Sequence, residues 1–107
     1  MNTNDEYYVN ITQTAFDDLM SIAVYIRDTL KEPVIAINQV TKIKEVIFSL
    51  KDFPCRQPLV RNKMLAAQGY RSITVDNYTI FYVVNERDNI VNISRALYSR
   101  RNWGDLL

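Results

Sequence analysis

Four arginines, a tyrosine and a tryptophan hold most of the chemistry this chain can offer. Arg71, Arg95, Arg100 and Arg101 fall in the C-terminal half, with Tyr98 and Trp103 beside the last pair. Guanidinium groups next to phenol and indole rings suit a polyanion or the carboxylates of an acidic partner, because each guanidinium donates several hydrogen bonds in a planar fork. The sequence contains no histidine. A Ser-His-Asp triad and a His-containing zinc site are therefore excluded, and proton transfer would fall to Tyr, Lys, Arg or a carboxylate. Cys55 is the only cysteine, so no internal disulfide forms, and with no histidine to activate it the thiol reads as a loop residue rather than a nucleophile. No cluster has metal-ligand spacing and no glycine-rich loop could cradle a phosphate, so no metal and no cofactor are implied.

Charge sharpens the picture. The net charge is only +1, but residues 1–55 carry five basic and eight acidic side chains and residues 56–107 carry eight basic and four acidic. The asymmetry predicts one electropositive face on the C-terminal half. At 107 residues and 48% hydrophobic, the chain is expected to form one domain spanning 1–107 with one modest core. Neither a membrane-spanning run nor a basic-then-apolar leader is evident, and a cytoplasmic location is expected.

The arginines must be positioned by the stretch from Gln68 to Trp103. It holds three runs rich in Val, Ile, Tyr, Phe and Thr, and reads as an antiparallel meander. Asp76-Asn77 is a two-residue hairpin turn, since both residue types tolerate positive φ. Asn85 to Asn89 is a longer polar loop. Tyr78 and Tyr82 share a strand face and are expected to pack in the core with a wet hydroxyl. Arg71 either pairs with Asp76 or a hairpin carboxylate, or serves a functional role.

The N-terminal half supplies the cover. Tyr7, Val9 and Ile11 alternate, which predicts a strand added to the meander, at an edge or beside the last strand. Thr14 with Asp17 fits a capping box, with Thr12 as a competing cap. Phe16, Leu19, Met20, Ala23, Ile26 and Leu30 recur at helical spacing and predict a helix of about four turns facing the core. Pro33 suits a first helical position, and Ala36, Val40, Ile43, Ile47 and Leu50 form a second apolar stripe. Phe53-Pro54 ends that helix, and Cys55 to Ala67 is an irregular basic link. The fold class expected is α+β: an N-terminal strand, an antiparallel helical hairpin and a three-stranded antiparallel meander, with both helices on one sheet face.

Taken together, these residues resemble the RelE/ParE superfamily, the toxins of bacterial type II toxin–antitoxin pairs. The resemblance rests on Ile11-Thr-Gln-Thr-Ala-Phe-Asp-Asp-Leu19, the helical hairpin, Phe53-Pro54, Gly69-Tyr70-Arg71, Asn77-Tyr-Thr-Ile-Phe-Tyr82 and Leu97-Tyr-Ser-Arg-Arg-Asn-Trp103. It implies a growth-inhibiting toxin held in a hetero-oligomer with a cognate antitoxin, whose acidic or amphipathic segment wraps it. RelE-like members resemble ribosome-dependent endoribonucleases that cut mRNA, whereas ParE-like members poison DNA gyrase. For the first activity the resemblance implies Arg71, Tyr98 and Arg100 as a metal-independent catalytic set. For the second it leaves Arg95, Arg101 and Trp103 as target- or antitoxin-binding residues. The departure lies at Thr79, where ribonuclease members carry an arginine after the tyrosine. A threonine cannot neutralise a phosphate, and the meander contains no lysine. Both points favour the ParE-like branch, with the ribonuclease and an inactive antitoxin-binding relative as alternatives.

Overall fold

The computed structural model describes residues 6–101 and 106–107. Strand β1 (Tyr8–Ile11) leads into helix α1 (Gln13–Val24), a π-helical turn (Tyr25–Thr29) and helix α2 (Pro33–Ser49). A 3₁₀ turn (Pro54–Arg56) and a short helix α3 (Lys63–Ala67) follow, then strands β2 (Tyr70–Val75), β3 (Tyr78–Asn85) and β4 (Ile90–Tyr98). The sheet order is β1-β4-β3-β2, and the helical hairpin packs on one face of it. The expected α+β architecture is therefore present. The first strand lies both at an edge and beside the last strand, and runs parallel to β4. Tyr7, Val9 and Ile11 turn towards the core as their alternation predicts.

The meander closes through the two residues Asp76 and Asn77, and Asp76 takes the positive φ of 53° that a tight hairpin requires. Asp76 does not meet Arg71. Its carboxylate accepts from Lys42 Nζ at 2.9 Å and Gln39 Nε2 at 3.1 Å, so the turn is tied to the middle of α2. These two donors, Lys42 first, hold the Asp76 carboxyl below the ordinary range.

Helix α1 begins at Thr12 rather than Thr14. Thr12 Oγ1 accepts from Ala15 N at 3.2 Å and donates to the Ile93 carbonyl at 2.8 Å, so one hydroxyl caps the helix and fastens it to β4. Position 14 lies two residues inside the helix and does neither. Replacing Thr12 with alanine should cost about 1–2 kcal/mol, while Thr14→Ala should stay within about 0.5 kcal/mol. Urea denaturation midpoints of the two variants check this, and equal midpoints would return the cap to Thr14.

That fastening also sets the rotation of α1. Ala15, Leu19 and Ile22 face the sheet, while Phe16 (45% exposed) and Met20 (51%) sit a hundred degrees round and face outwards. The expectation that they belong to the core is corrected accordingly. Leu30 is also exposed, for a different reason. The helix widens into a π turn, with Leu30 N donating to the Tyr25 carbonyl, and the extra residue rotates the following side chain off the stripe. Along α2 the expected stripe holds, with Ala36, Ile43, Ile47 and Leu50 buried.

The core joins Ala15 and Leu19 of α1, Ile43 and Ile47 of α2, and Val75, Ile80, Tyr82, Val91, Ile93 and Ala96 of the sheet. The basic link is more ordered than its sequence implied. Besides the 3₁₀ turn and α3, whose Asn62 side chain caps Leu65 N at 3.1 Å, Leu59 bridges Arg71 at the outer edge of β2. Arg56 is consumed there as well, donating to the Asp52 carbonyl at 2.7 Å beyond the end of α2.

Candidate functional site

The arginines read from the sequence occupy three different settings. Arg95 is a part-buried group held in an ion pair. The pairing of β3 with β4 shifts register between Phe81 and Tyr82, leaving Ser94 as an extra residue, and β1 ends at Ile11 opposite Ile93. Beyond that point the edge of β4 lacks a strand partner. Asp18 of α1 takes its place, accepting from Ala96 N at 3.0 Å and from Arg95 Nε and Nη2 at 2.8 Å each. The two side chains are 17% and 12% exposed, and Arg95 also donates to the Leu106 carbonyl at 2.9 Å. The fork-to-fork bond to Asp18 raises the affinity of Arg95 for its proton beyond the ordinary value. Sequence reasoning missed Asp18. Its signal was a carboxylate one position from the apolar stripe, on the face that α1 turns to the sheet.

Arg71 lies near the middle of the sheet, at the level of Tyr82 and next to that of Arg95. It pairs with Tyr82 across β2 and β3, and its guanidinium donates to the Gln57 carbonyl. Tyr82 is fully buried, and its hydroxyl donates to the Pro54 carbonyl at 2.8 Å. Burial pushes the phenol up to about 12, with the Arg56 and Arg71 cations pulling weakly the other way. The unfolded chain releases this proton near the ordinary value of 10.0 and the folded chain only near 12. In that window the unfolded state binds fewer protons, so stability falls as pH rises from 10 through about 12. Tyr82→Phe should cost about 1–1.5 kcal/mol at neutral pH by leaving the Pro54 carbonyl bare. It should also shrink the alkaline loss, leaving a remainder from Tyr78, whose phenol burial raises as well. Thermal melts of both proteins across the alkaline range test this; parallel curves would contradict it.

The third setting is the turn end of the sheet. Tyr78 and Tyr98 pair across β3 and β4, with ring centroids 6.0 Å apart and planes at 71°, an edge-to-face contact. Tyr25, from the π turn, lies near enough to act electrostatically on Tyr78, and both Tyr25 (54% exposed) and Tyr98 (42%) reach the surface. The chain then turns through Ser99, whose N–H donates to the Asn77 carbonyl at 2.8 Å, and Arg101 N bonds back to the Tyr98 carbonyl at 3.0 Å. This turn presents Arg100 and Arg101 beside the tyrosines. Both are exposed, and neither side chain bonds to a described residue. Two cations without a side-chain partner among the described residues, flanked by exposed phenol rings, can bind an anion and offer a flat ring for stacking. Trp103 lies outside the described residues.

Register decides what these groups can do together. From Arg71 to Tyr98 the path runs two strands across and four residues along β3, from Tyr82 to Tyr78. At strand spacings of about 4.8 Å and a rise of about 3.3 Å, the backbones are about 16 Å apart. Tyr98 and Arg100 are neighbours, and Arg71 is not with them. The Thr79 hydroxyl, at the position where a third cation would stand, is 2.8 Å from the Ser99 hydroxyl. Among the described residues no cluster of three or more His, Cys, Asp or Glu side chains could hold a metal, and no helix is long and apolar enough to cross a membrane.

The comparisons with known proteins agree with this scaffold. Residues 9–103 match the profile of the ParE toxin of the type II toxin–antitoxin system, parDE. A solved structure of the chromosomal ParDE toxin–antitoxin system from P. aeruginosa superposes with a TM-score of 0.74 at 18% identity, covering 89% of this chain and 98% of that one. The RelBE2 toxin–antitoxin complex from Mycobacterium tuberculosis superposes with a TM-score of 0.64 at 23% identity, covering 87% and 98%. At such identities the structural likeness speaks for the fold alone, and no curated protein matches the sequence significantly. With the profile spanning nearly the whole chain, this protein belongs to the ParE toxin family of type II toxin–antitoxin systems.

Proposed function

We propose that this toxin arrests growth by binding DNA gyrase, not by cutting RNA, and that a cognate antitoxin neutralises it in a cytoplasmic hetero-oligomer. The observation that carries the mechanism is the separation of about 16 Å between Arg71 and the Tyr98–Arg100 pair. Cleavage at a 2′-hydroxyl needs a base, a cation on the phosphorane and an acid on the leaving oxygen, all within a few ångströms of one phosphate. Here Arg71 stands two strands across and four residues along β3 from Tyr98, and Thr79, on the opposite sheet face from Tyr78 and Tyr82, is hydrogen-bonded to Ser99. Binding makes no such demand. The Arg100–Arg101 end with its tyrosines is then the target-binding surface, and Arg71 supports the Gln57 turn.

A second reading keeps one observation in its favour. Tyr98 and Arg100 stand together at the surface, a partial set for a ribosome-dependent endoribonuclease. The two readings separate in purified systems. The chain should inhibit supercoiling by gyrase and leave ribosome-bound mRNA intact. Cleavage of ribosomal mRNA with unaffected supercoiling would replace the first reading with the second. Neither activity, with antitoxin binding retained, would mark an inactive relative.

A further inference from the structure

Arg95 spends its guanidinium in two directions. Nε and Nη2 each meet one carboxylate oxygen of Asp18 at 2.8 Å, and the remaining nitrogen, Nη1, donates to the Leu106 carbonyl at 2.9 Å. The second bond closes a loop. Arg95 and Leu106 stand 11 positions apart, and Arg100 and Arg101 lie between them. The turn that carries this pair is fixed on its near side. Ser99 N donates to the Asn77 carbonyl at 2.8 Å, the Ser99 and Thr79 hydroxyls are 2.8 Å apart, and Arg101 N donates to the Tyr98 carbonyl at 3.0 Å. On its far side Arg95 supplies the hold. Arg95 lies three residues before Tyr98 on β4, about 10 Å back from the strand end, so by Leu106 the chain has returned along the sheet. Leu106 and Leu107 are half-buried there. A cation that grips a helix carboxylate and a returning carbonyl together needs donors on separate edges of a rigid plane, which an ammonium lacks.

From this we infer that Arg95 is a positioning residue of the working surface: anchored on Asp18, it closes the loop that holds Arg100 and Arg101 in their binding arrangement, and so acts through that pair. Two long cationic side chains on a loop tied at both ends have lost much of their backbone freedom before a partner arrives. On a segment tied at one end, binding itself has to remove that freedom. The tie is sheltered, with the Arg95 and Asp18 side chains 17% and 12% exposed, so water competes weakly for it. Its anchor is double, because Asp18 belongs to α1 and also accepts from Ala96 N of β4 at 3.0 Å. The inference rests on the reading of Arg100–Arg101 as the target-binding surface and holds whichever target that surface meets.

The test compares the full chain with two variants. Arg95→Lys keeps a cation opposite Asp18 and removes the fork. Leu106→Gly with Leu107→Gly loosens the returning segment and leaves the Asp18–Arg95 pair intact, which guards against a lysine variant that fails to fold. In each, trypsin should cut after Arg100 and Arg101 at least about tenfold faster, with cuts elsewhere in the chain no faster. The amount of expressed toxin needed to halve bacterial growth should rise about tenfold. On an Arg100→Ala, Arg101→Ala background, Arg95→Lys should add no further loss of growth arrest, because the tie acts only through that pair. A full further loss on that background would make Arg95 a general support of the fold and overturn the inference. So would unchanged cutting at Arg100 and Arg101, faster cutting with unchanged growth arrest, or a parent chain that leaves growth unaffected. Supercoiling assays run in parallel keep the target separate: growth arrest without gyrase inhibition would remove the gyrase reading and leave the role of Arg95 standing.

Discussion

Asp18→Ala should be the most damaging single change outside the apolar core, lowering stability by about 3 kcal/mol. The carboxylate satisfies three donors, two on Arg95 and the N–H of Ala96, on a β4 edge with no neighbouring strand. Removing it leaves a guanidinium only 17% exposed without its counter-ion and a strand N–H without an acceptor. Breaking a buried pair from one side costs about 3–5 kcal/mol, and the residual exposure here sets the expectation at the lower end. For a chain of this size the melting temperature should fall by about 12 °C. Adding Arg95→Ala to the variant should restore part of the loss, since the unpaired charge is then gone. Recovery should be incomplete because Ala96 N remains bare. A melting curve of Asp18→Ala within a few degrees of the parent would show that the pair is a surface contact.

Substituting both Arg100 and Arg101 with alanine should have the opposite profile. These side chains bond to no described residue, so the melting temperature should move by about 2 °C or less. Toxicity should fall steeply. A charge-assisted hydrogen bond to a partner carries about tenfold in affinity, and two of them about a hundredfold. The dose of toxin needed to halve supercoiling should rise accordingly. Arg71→Ala should leave that dose nearly unchanged, because Arg71 faces the Gln57 carbonyl, two strands across and four residues along from Tyr98. A loss of inhibition from Arg71→Ala in a stable protein would place Arg71 in the working surface after all.

Much of the fold was legible because it follows from local rules. The Asp76-Asn77 turn, the α2 stripe and the alternating Tyr7, Val9 and Ile11 each depend on a period or a turn preference expressed within a few residues. What escaped depended on distant contacts. Thr12 outcompetes Thr14 because it also reaches the Ile93 carbonyl, more than eighty positions away in sequence. That tie, with Asp18 on Ala96, sets the rotation that turns Phe16 and Met20 outwards. The π turn that displaces Leu30 leaves no mark in a hydrophobic pattern read at helical spacing.

Of the candidate residues, closeness along the chain was legible and arrangement in space was not. Arg100, Arg101 and Tyr98 do gather at one exposed end, as their closeness in sequence required. Arg95 looked like its equal and is instead in a part-buried ion pair, because a bulge at Ser94 and the early end of β1 open the β4 edge to Asp18. Arg71 looked like part of the same set until strand register separated it by two strands and four residues.

Pulse labelling of DNA and protein synthesis, minutes after inducing this chain alone in a bacterial host, tests the gyrase reading most directly. Gyrase poisoning predicts that thymidine incorporation falls first while amino-acid incorporation continues. A collapse of amino-acid incorporation with DNA synthesis intact would contradict it, and would make Tyr98 and Arg100 parts of a nuclease.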